Sequence, residues 1–133
     1  MKYLKLTLLI ALAIIFSGTF AAAEDVEGYD ENTELRLTGN VLAISRDMRG
    51  PVIVRLKTGN RVYDIYTGPA WFWDSAQTDI SENSRIRVTG SKMIGRDGSL
   101  RIVCRQMKNL ESGKVSSFRD GNLKPLWRSR GRR

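Results

Sequence analysis

One stretch limits what this chain can fold into more than any other: Tyr63 to Trp73, reading Tyr-Asp-Ile-Tyr-Thr-Gly-Pro-Ala-Trp-Phe-Trp. An extended pattern ends there in Gly68-Pro69, and three large rings follow at once. Glycine tolerates backbone angles and close approaches that a side chain forbids, and proline cannot donate to a strand ladder, so the strand must stop. The segment that follows has to turn a sharp corner and throw its rings back onto a sheet. Trp71 and Phe72 are expected to plug the interior.

Alternation places strands on either side of this corner. Leu35 to Ile44 reads as a long first strand interrupted by Gly39, a residue that commonly marks a bulge where one strand bends to serve two sheet edges. Asp47-Met48-Arg49-Gly50-Pro51 forms a turn. Val52 to Lys57 is a second strand, with Val52, Val54 and Leu56 on one face and Ile53, Arg55 and Lys57 on the other. Thr58-Gly59-Asn60 closes a hairpin onto a third strand, Arg61 to Thr67. After the corner the pattern lapses to Ser84, with a short helix expected from Asp74 as its cap. Arg85 to Met93 and Leu100 to Lys108 are a fourth and a fifth strand around the turn Arg96-Asp97-Gly98-Ser99.

Five strands, a bent first strand and one helix or loop between the third and fourth outline an all-β OB-fold, a partly open five-stranded barrel. An SH3-like barrel is the competing architecture. The long first strand and the insertion after the third favour the OB-fold.

The ends read differently from the body. Lys2 and Lys5, the apolar run Leu6 to Phe16 and the small residues Ala21-Ala22-Ala23 have the layout of a secretory signal peptide over residues 1–23. The run is too short for a spanning helix. A mature chain of roughly 110 residues suits one domain. With Cys104 the only cysteine there is no internal disulfide, which fits an exported protein of the bacterial periplasm better than a small animal secreted domain. Residues 24–34 carry six acids and no base and are expected as a flexible leader, residues 35–127 as the barrel, and residues 128–133 as a basic tail. Within residues 35–126, sixteen Lys or Arg outweigh eight Asp or Glu, so anionic partners are favoured.

The motifs Leu37-Thr38-Gly39-Asn40-Val41, Gly68-Pro69-Ala70-Trp71-Phe72, Arg87-Val88-Thr89-Gly90-Ser91-Lys92 and Arg119-Asp120…Pro125-Leu126-Trp127-Arg128, in that order, resemble a family of small exported bacterial OB-fold proteins. Many of these are labelled DNA-binding, and they are similar to the MamS/MamX-type domain of magnetosome proteins. The likeness covers roughly residues 35–128, a whole domain. It implies an OB-fold and no settled reaction. Some magnetosome relatives hold c-type haem through Cys-x-x-Cys-His; with one cysteine and no histidine, this chain does not inherit that role.

Chemistry is narrowed by what is missing. Without histidine, Ser-His and Cys-His nucleophile pairs and ordinary zinc sites cannot be built. Gly90-Ser91-Lys92 lacks the upstream glycine spacing of a phosphate loop. Asp64, Asp74 and Asp79 read as turn caps or arginine partners, the leader lacks a calcium-loop spacing, and Cys104 reads as a buried structural thiol. The expectation is a non-enzymatic protein with no cofactor and no metal. Arg85, Arg87, Arg101 and Arg105 all fall on the non-core side of the last hairpin and are expected to share one surface. Tyr63, Tyr66, Trp71 or Trp73 would supply aromatic platforms beside it, as OB-folds do for single strands. The sequence thus describes an exported, periplasmic binding or accessory module that contacts an anionic ligand or an envelope partner, such as a phosphorylated glycan, a lipid headgroup or an acidic protein. A single-stranded nucleic-acid binder and a structural envelope subunit are the alternatives. Nucleic acid is disfavoured by the compartment. The arginine tail either steers an anion or lipid surface or solubilises the end.

Overall fold

The structure, a computed structural model, describes residues 28–47 and 49–130. The expected signal peptide, the first part of the leader and the last three residues of the tail lie outside them. Six strands form in chain order: β1 (Glu34–Ser45), β2 (Pro51–Thr58), β3 (Arg61–Pro69), β4 (Arg85–Ile94), β5 (Leu100–Asn109) and β6 (Val115–Ser117). Helix α1 (Ala70–Ser75) lies between β3 and β4, and α2 (Leu126–Arg130) ends the described chain. The sheet runs β3-β2-β1-β4-β5-β6, and parallel pairing of β3 with β5 closes the first five strands into a barrel. This is the OB-fold topology.

Gly39 marks the bend in β1. Pairing to β4 runs from Glu34 to Asn40, and pairing to β2 runs from Asn40 to Ser45, with a bulge between Val41 and Ala43. At the handover the two backbones come so close that a Cβ on Gly39 would collide with the Lys57 carbonyl. The long strand therefore serves two edges because one of its residues has no side chain.

Inward positions of the strands fill the barrel: Val41, Val52, Val54, Leu56, Ile65, Ile86, Val88, Ile102, Cys104 and Met107 are all buried. The corner caps them from one end. Trp73 is 1% exposed, donates its Nε1 hydrogen to Thr67 Oγ1 at 2.8 Å, and Thr67 donates in turn to the Val52 carbonyl at 2.7 Å. A large ring is buried with its one polar atom satisfied. Phe72 packs against Phe118 and Trp127, with centroids 6.0 and 5.9 Å apart. Gly68 permits this, since a Cβ there would lie 2.8 Å from the Trp127 ring.

Two expectations about the corner are corrected. Trp71 is half exposed, at 50%, and Trp73 takes the interior place beside Phe72. The helix begins directly after Pro69 rather than at Asp74, which lies in its last turn and pairs with Arg46 at 3.0 Å. In a helix this short the burial phase follows the strand exit, and successive side chains swing about a third of a turn apart.

The leader is also held from Gly28 onward. Tyr29 is 1% exposed, donates to Glu34 Oε1 at 2.5 Å, and lies under the Arg119 guanidinium at 5.4 Å. Asp30 N–H donates to Ser91 Oγ at 3.0 Å, which ties the segment to β4. Apolar burial of one ring outweighs the charge of its neighbours.

Candidate ligand face

Two outward surfaces arise from the strand registers. The first centres on β2 and β3. Pairing of Ile53 with Tyr66, Arg55 with Asp64 and Ala43 with Arg55 puts these side chains on the outer face, because Val54, Leu56 and Ile65 point inward. The β3–β5 pairing adds Arg101 beside Asp64 and Val103 beside Tyr66. Ala43, Ser45, Ile53, Arg55 and Asp64 line an open groove of about 350 Å³.

Beside this groove Arg101 places its guanidinium 5.1 Å from the centroid of the Tyr66 ring, a cation–π distance. Its Nη2 reaches Asp97 Oδ1 only at 3.8 Å, and its buried Nε has no hydrogen-bond partner among the described residues. Asp97 is better satisfied from its own turn, where the Ser99 hydroxyl and amide hold its carboxyl below the usual range. Arg55 contacts Asp64 at 3.4 Å with most of its side chain in water. Two guanidinium groups are thus held near the groove while part of their donor capacity stays free.

The four hairpin arginines do not share one surface. Arg101, opposite Met93, stands at the turn end of the β4–β5 hairpin, while Arg87 faces Lys108 at the other end and Arg85 lies beyond it. Arg101 joins Tyr66 on the β2–β3 side. Arg105 is spent on Glu34, at 3.0 Å, where it helps hold the Tyr29 segment. The Glu34 carboxyl is held below its ordinary range by the Tyr29 hydroxyl and by Arg105. Of the two tyrosines, Tyr66 is on the outer face, whereas Tyr63 pairs with inward Leu56 and packs against the core. Sequence reasoning passed over Ile53 and Arg55. Their outward parity in the second strand was visible, but not that they line the groove beside Tyr66.

Other candidate groups have separate engagements. Asp64 faces Arg55, Asp74 faces Arg46, and Asp79 accepts from Ser112 Oγ at 2.7 Å. Cys104 is buried, and burial pushes its thiol pKa upward, which disfavours the thiolate. Among the described residues no group of three His, Cys, Asp or Glu could hold a metal, and no helix is long and apolar enough to cross a membrane.

A model of the MamS/MamX magnetosome protein family matches residues 33–112, from the turn before β1 to just past β5. Among curated proteins no sequence matches. In three dimensions the chain is similar to a chain of a replication protein A heterotrimer bound to single-stranded DNA, with 19% identity and a TM-score of 0.45. That likeness covers 68% of this chain and 61% of the other, so it spans about three fifths of the relative. The chain is also similar to Rim1, a mitochondrial single-stranded DNA binding protein of S. cerevisiae, with 9% identity and a TM-score of 0.48 over 62% of this chain and 93% of that one. Neither likeness is close enough to carry a ligand from those proteins to this one.

Proposed function

This chain belongs to the MamS/MamX magnetosome protein family, and from that premise we propose that it is an exported, non-enzymatic OB-fold binding module that takes an anionic ligand or envelope partner on the β2–β3 face. The observation that carries this reading is the Arg101–Tyr66 pair. A guanidinium stacked on a ring at 5.1 Å is pre-oriented, so less side-chain freedom is lost when an anion binds it. Arg55, 59% exposed, supplies a second charge across Asp64, and Ala43 and Ile53 give the groove an apolar floor. A small set of polar groups beside an apolar floor is the usual composition of a ligand site. Export rests on residues 1–23, and it places the module among envelope anions such as phosphorylated glycans or acidic proteins.

The experiment is capture from a solubilised envelope fraction with parent protein and with Arg55→Ser/Arg101→Ser. The reading requires a component that the parent retains and the double variant loses, with melting temperatures alike. If the same material is held by both, the β2–β3 face is not the binding site. Half-exposed Trp71, two residues past β3's end, keeps single-stranded nucleic acid as the second reading, because a base can stack on such a ring. Tighter retention of oligodeoxythymidylate than of any envelope component, lost in Trp71→Ala, would favour it.

A further inference from the structure

The second outward surface lies on β1, β4 and β5, with one position contributed by β2. Three registers stack into one face: Gln106, Thr89 and Arg36 in the first row, Lys108, Arg87 and Thr38 in the second, Arg85, Asn40 and Lys57 in the third. Inward neighbours Leu37, Val88 and Met107 fix this parity, since Val88 and Met107 are fully buried and Leu37 packs against the core. Five of the nine positions are basic (Arg36, Lys57, Arg85, Arg87, Lys108), all five are exposed, and none of the nine is acidic. Strand and row spacings put the five within a patch of about 15 Å, so neighbouring charges lie within or near one screening length of each other. Among the described residues none of the five has an ion-pair partner. Glu34, one row beyond Arg36 on the same strand, offsets part of this repulsion, and an anion covering the face would relieve the rest.

We propose that this face docks the protein on an anionic phospholipid surface, apart from the ligand groove. The face spreads long cationic side chains in two dimensions over neighbouring strands, and their reach lets them meet a plane of headgroup phosphates. It carries no aromatic ring, so it offers no stacking platform for single-stranded bases. Thr38, Asn40 and Gln106 add hydroxyl and amide donors between the charges, while Thr89 lies buried beneath them. Exposed Val115 pairs with Lys108 at the β6 edge and gives one apolar side chain for the interfacial layer. The inference rests on strand register alone and stands whether or not the groove takes an anion.

The test is co-sedimentation of the full chain with vesicles of phosphatidylcholine, with and without phosphatidylglycerol. The readout is the gain conferred by the anionic lipid, so any contribution of the Leu6–Phe16 run, common to all variants, cancels. Arg85→Ser/Arg87→Ser should weaken that gain about thirtyfold, from roughly 1 kcal/mol per basic side chain near the surface. Arg49→Ser/Arg96→Ser removes the same charge from exposed turns outside the face and should keep the gain. Arg36→Ser/Lys108→Ser repeats the test should the first pair fail to fold. Equal losses in the turn and face variants would reduce the effect to net charge and overturn the proposal, as would a parent with no anionic gain. Face-dependent binding of duplex DNA without vesicle binding would overturn it too, and would assign the surface to nucleic acid.

Discussion

Trp73→Ala should be among the most damaging single changes in this chain, and Trp71→Ala, two residues away, should be nearly silent. Trp73 is the largest of the fully buried side chains, and its Nε1 links α1 through Thr67 to the β2 backbone. Its ring also packs on Phe118, with centroids 5.8 Å apart. Burial of a tryptophan removes roughly 150–250 Å² from water, which at about 25 cal/mol per Å² is on the order of 4–6 kcal/mol. Partial collapse of the site brings the measured cost of such truncations to about 3–5 kcal/mol. Trp71 is 50% exposed and meets Phe72 only edge-on, at 6.1 Å, so its truncation should cost roughly 1 kcal/mol or less. Urea denaturation of parent and both variants gives the comparison directly, provided the slope is unchanged. Equal losses for the two, or a larger one for Trp71→Ala, would refute this account of the corner.

Three further outcomes are expected. Gly68→Ala should destabilise by about 1–3 kcal/mol, read in the same melts, because its methyl group would meet the Trp127 ring. The Tyr29–Glu34–Arg105 cluster should make stability fall at both pH extremes. Glu34, its carboxyl held low by the Tyr29 hydroxyl and Arg105, contributes above the ordinary carboxylate range, and that contribution is lost as pH drops through the lowered value. Tyr29, raised chiefly by burial, contributes below pH 10.0 and is lost as pH climbs beyond it, so Tyr29→Phe should flatten the alkaline limb of melting temperature against pH. Cys104 should resist a thiol reagent in the native protein and react once denaturant is added, and rapid native labelling would contradict its burial.

Much of the barrel was legible because period-two alternation and its punctuation are local signals. The expected strands coincide with β1 to β5 within one or two residues at each end, and Gly39 marks the bend it was expected to mark. The site was less legible, and the last hairpin shows why. Counting back from the turn at Arg96–Ser99 already separates Arg87 from Arg101, since Ile94 opposite Leu100 puts Met93 opposite Arg101. Counting alone would then set Arg87 against Met107. A register shift between Thr89 and Gly90 moves it to Lys108 and keeps both on the outer face. Such shifts depend on close packing, here of Gly90 against the Val103 backbone, and show in the sequence only as the three-residue step between inward Cys104 and Met107. The burial of Trp73 rather than Trp71 is set by how α1 leaves β3, and that of Tyr29 by a groove that other elements create. All three are tertiary facts.

The central claim is that the ligand face lies on β2–β3 around Tyr66, Arg101 and Arg55, and amide chemical-shift mapping with phenyl phosphate tests it most directly. The probe offers a ring for the Ala43–Ile53 floor and an anion for the two guanidinium groups. Shifts should concentrate at Ile53 to Arg55, Asp64 to Tyr66 and Arg101 to Val103, saturate with probe concentration, and vanish in Arg55→Ser/Arg101→Ser. Shifts centred instead on Arg36, Arg85, Arg87 and Lys108, or none along β2 and β3, would contradict it.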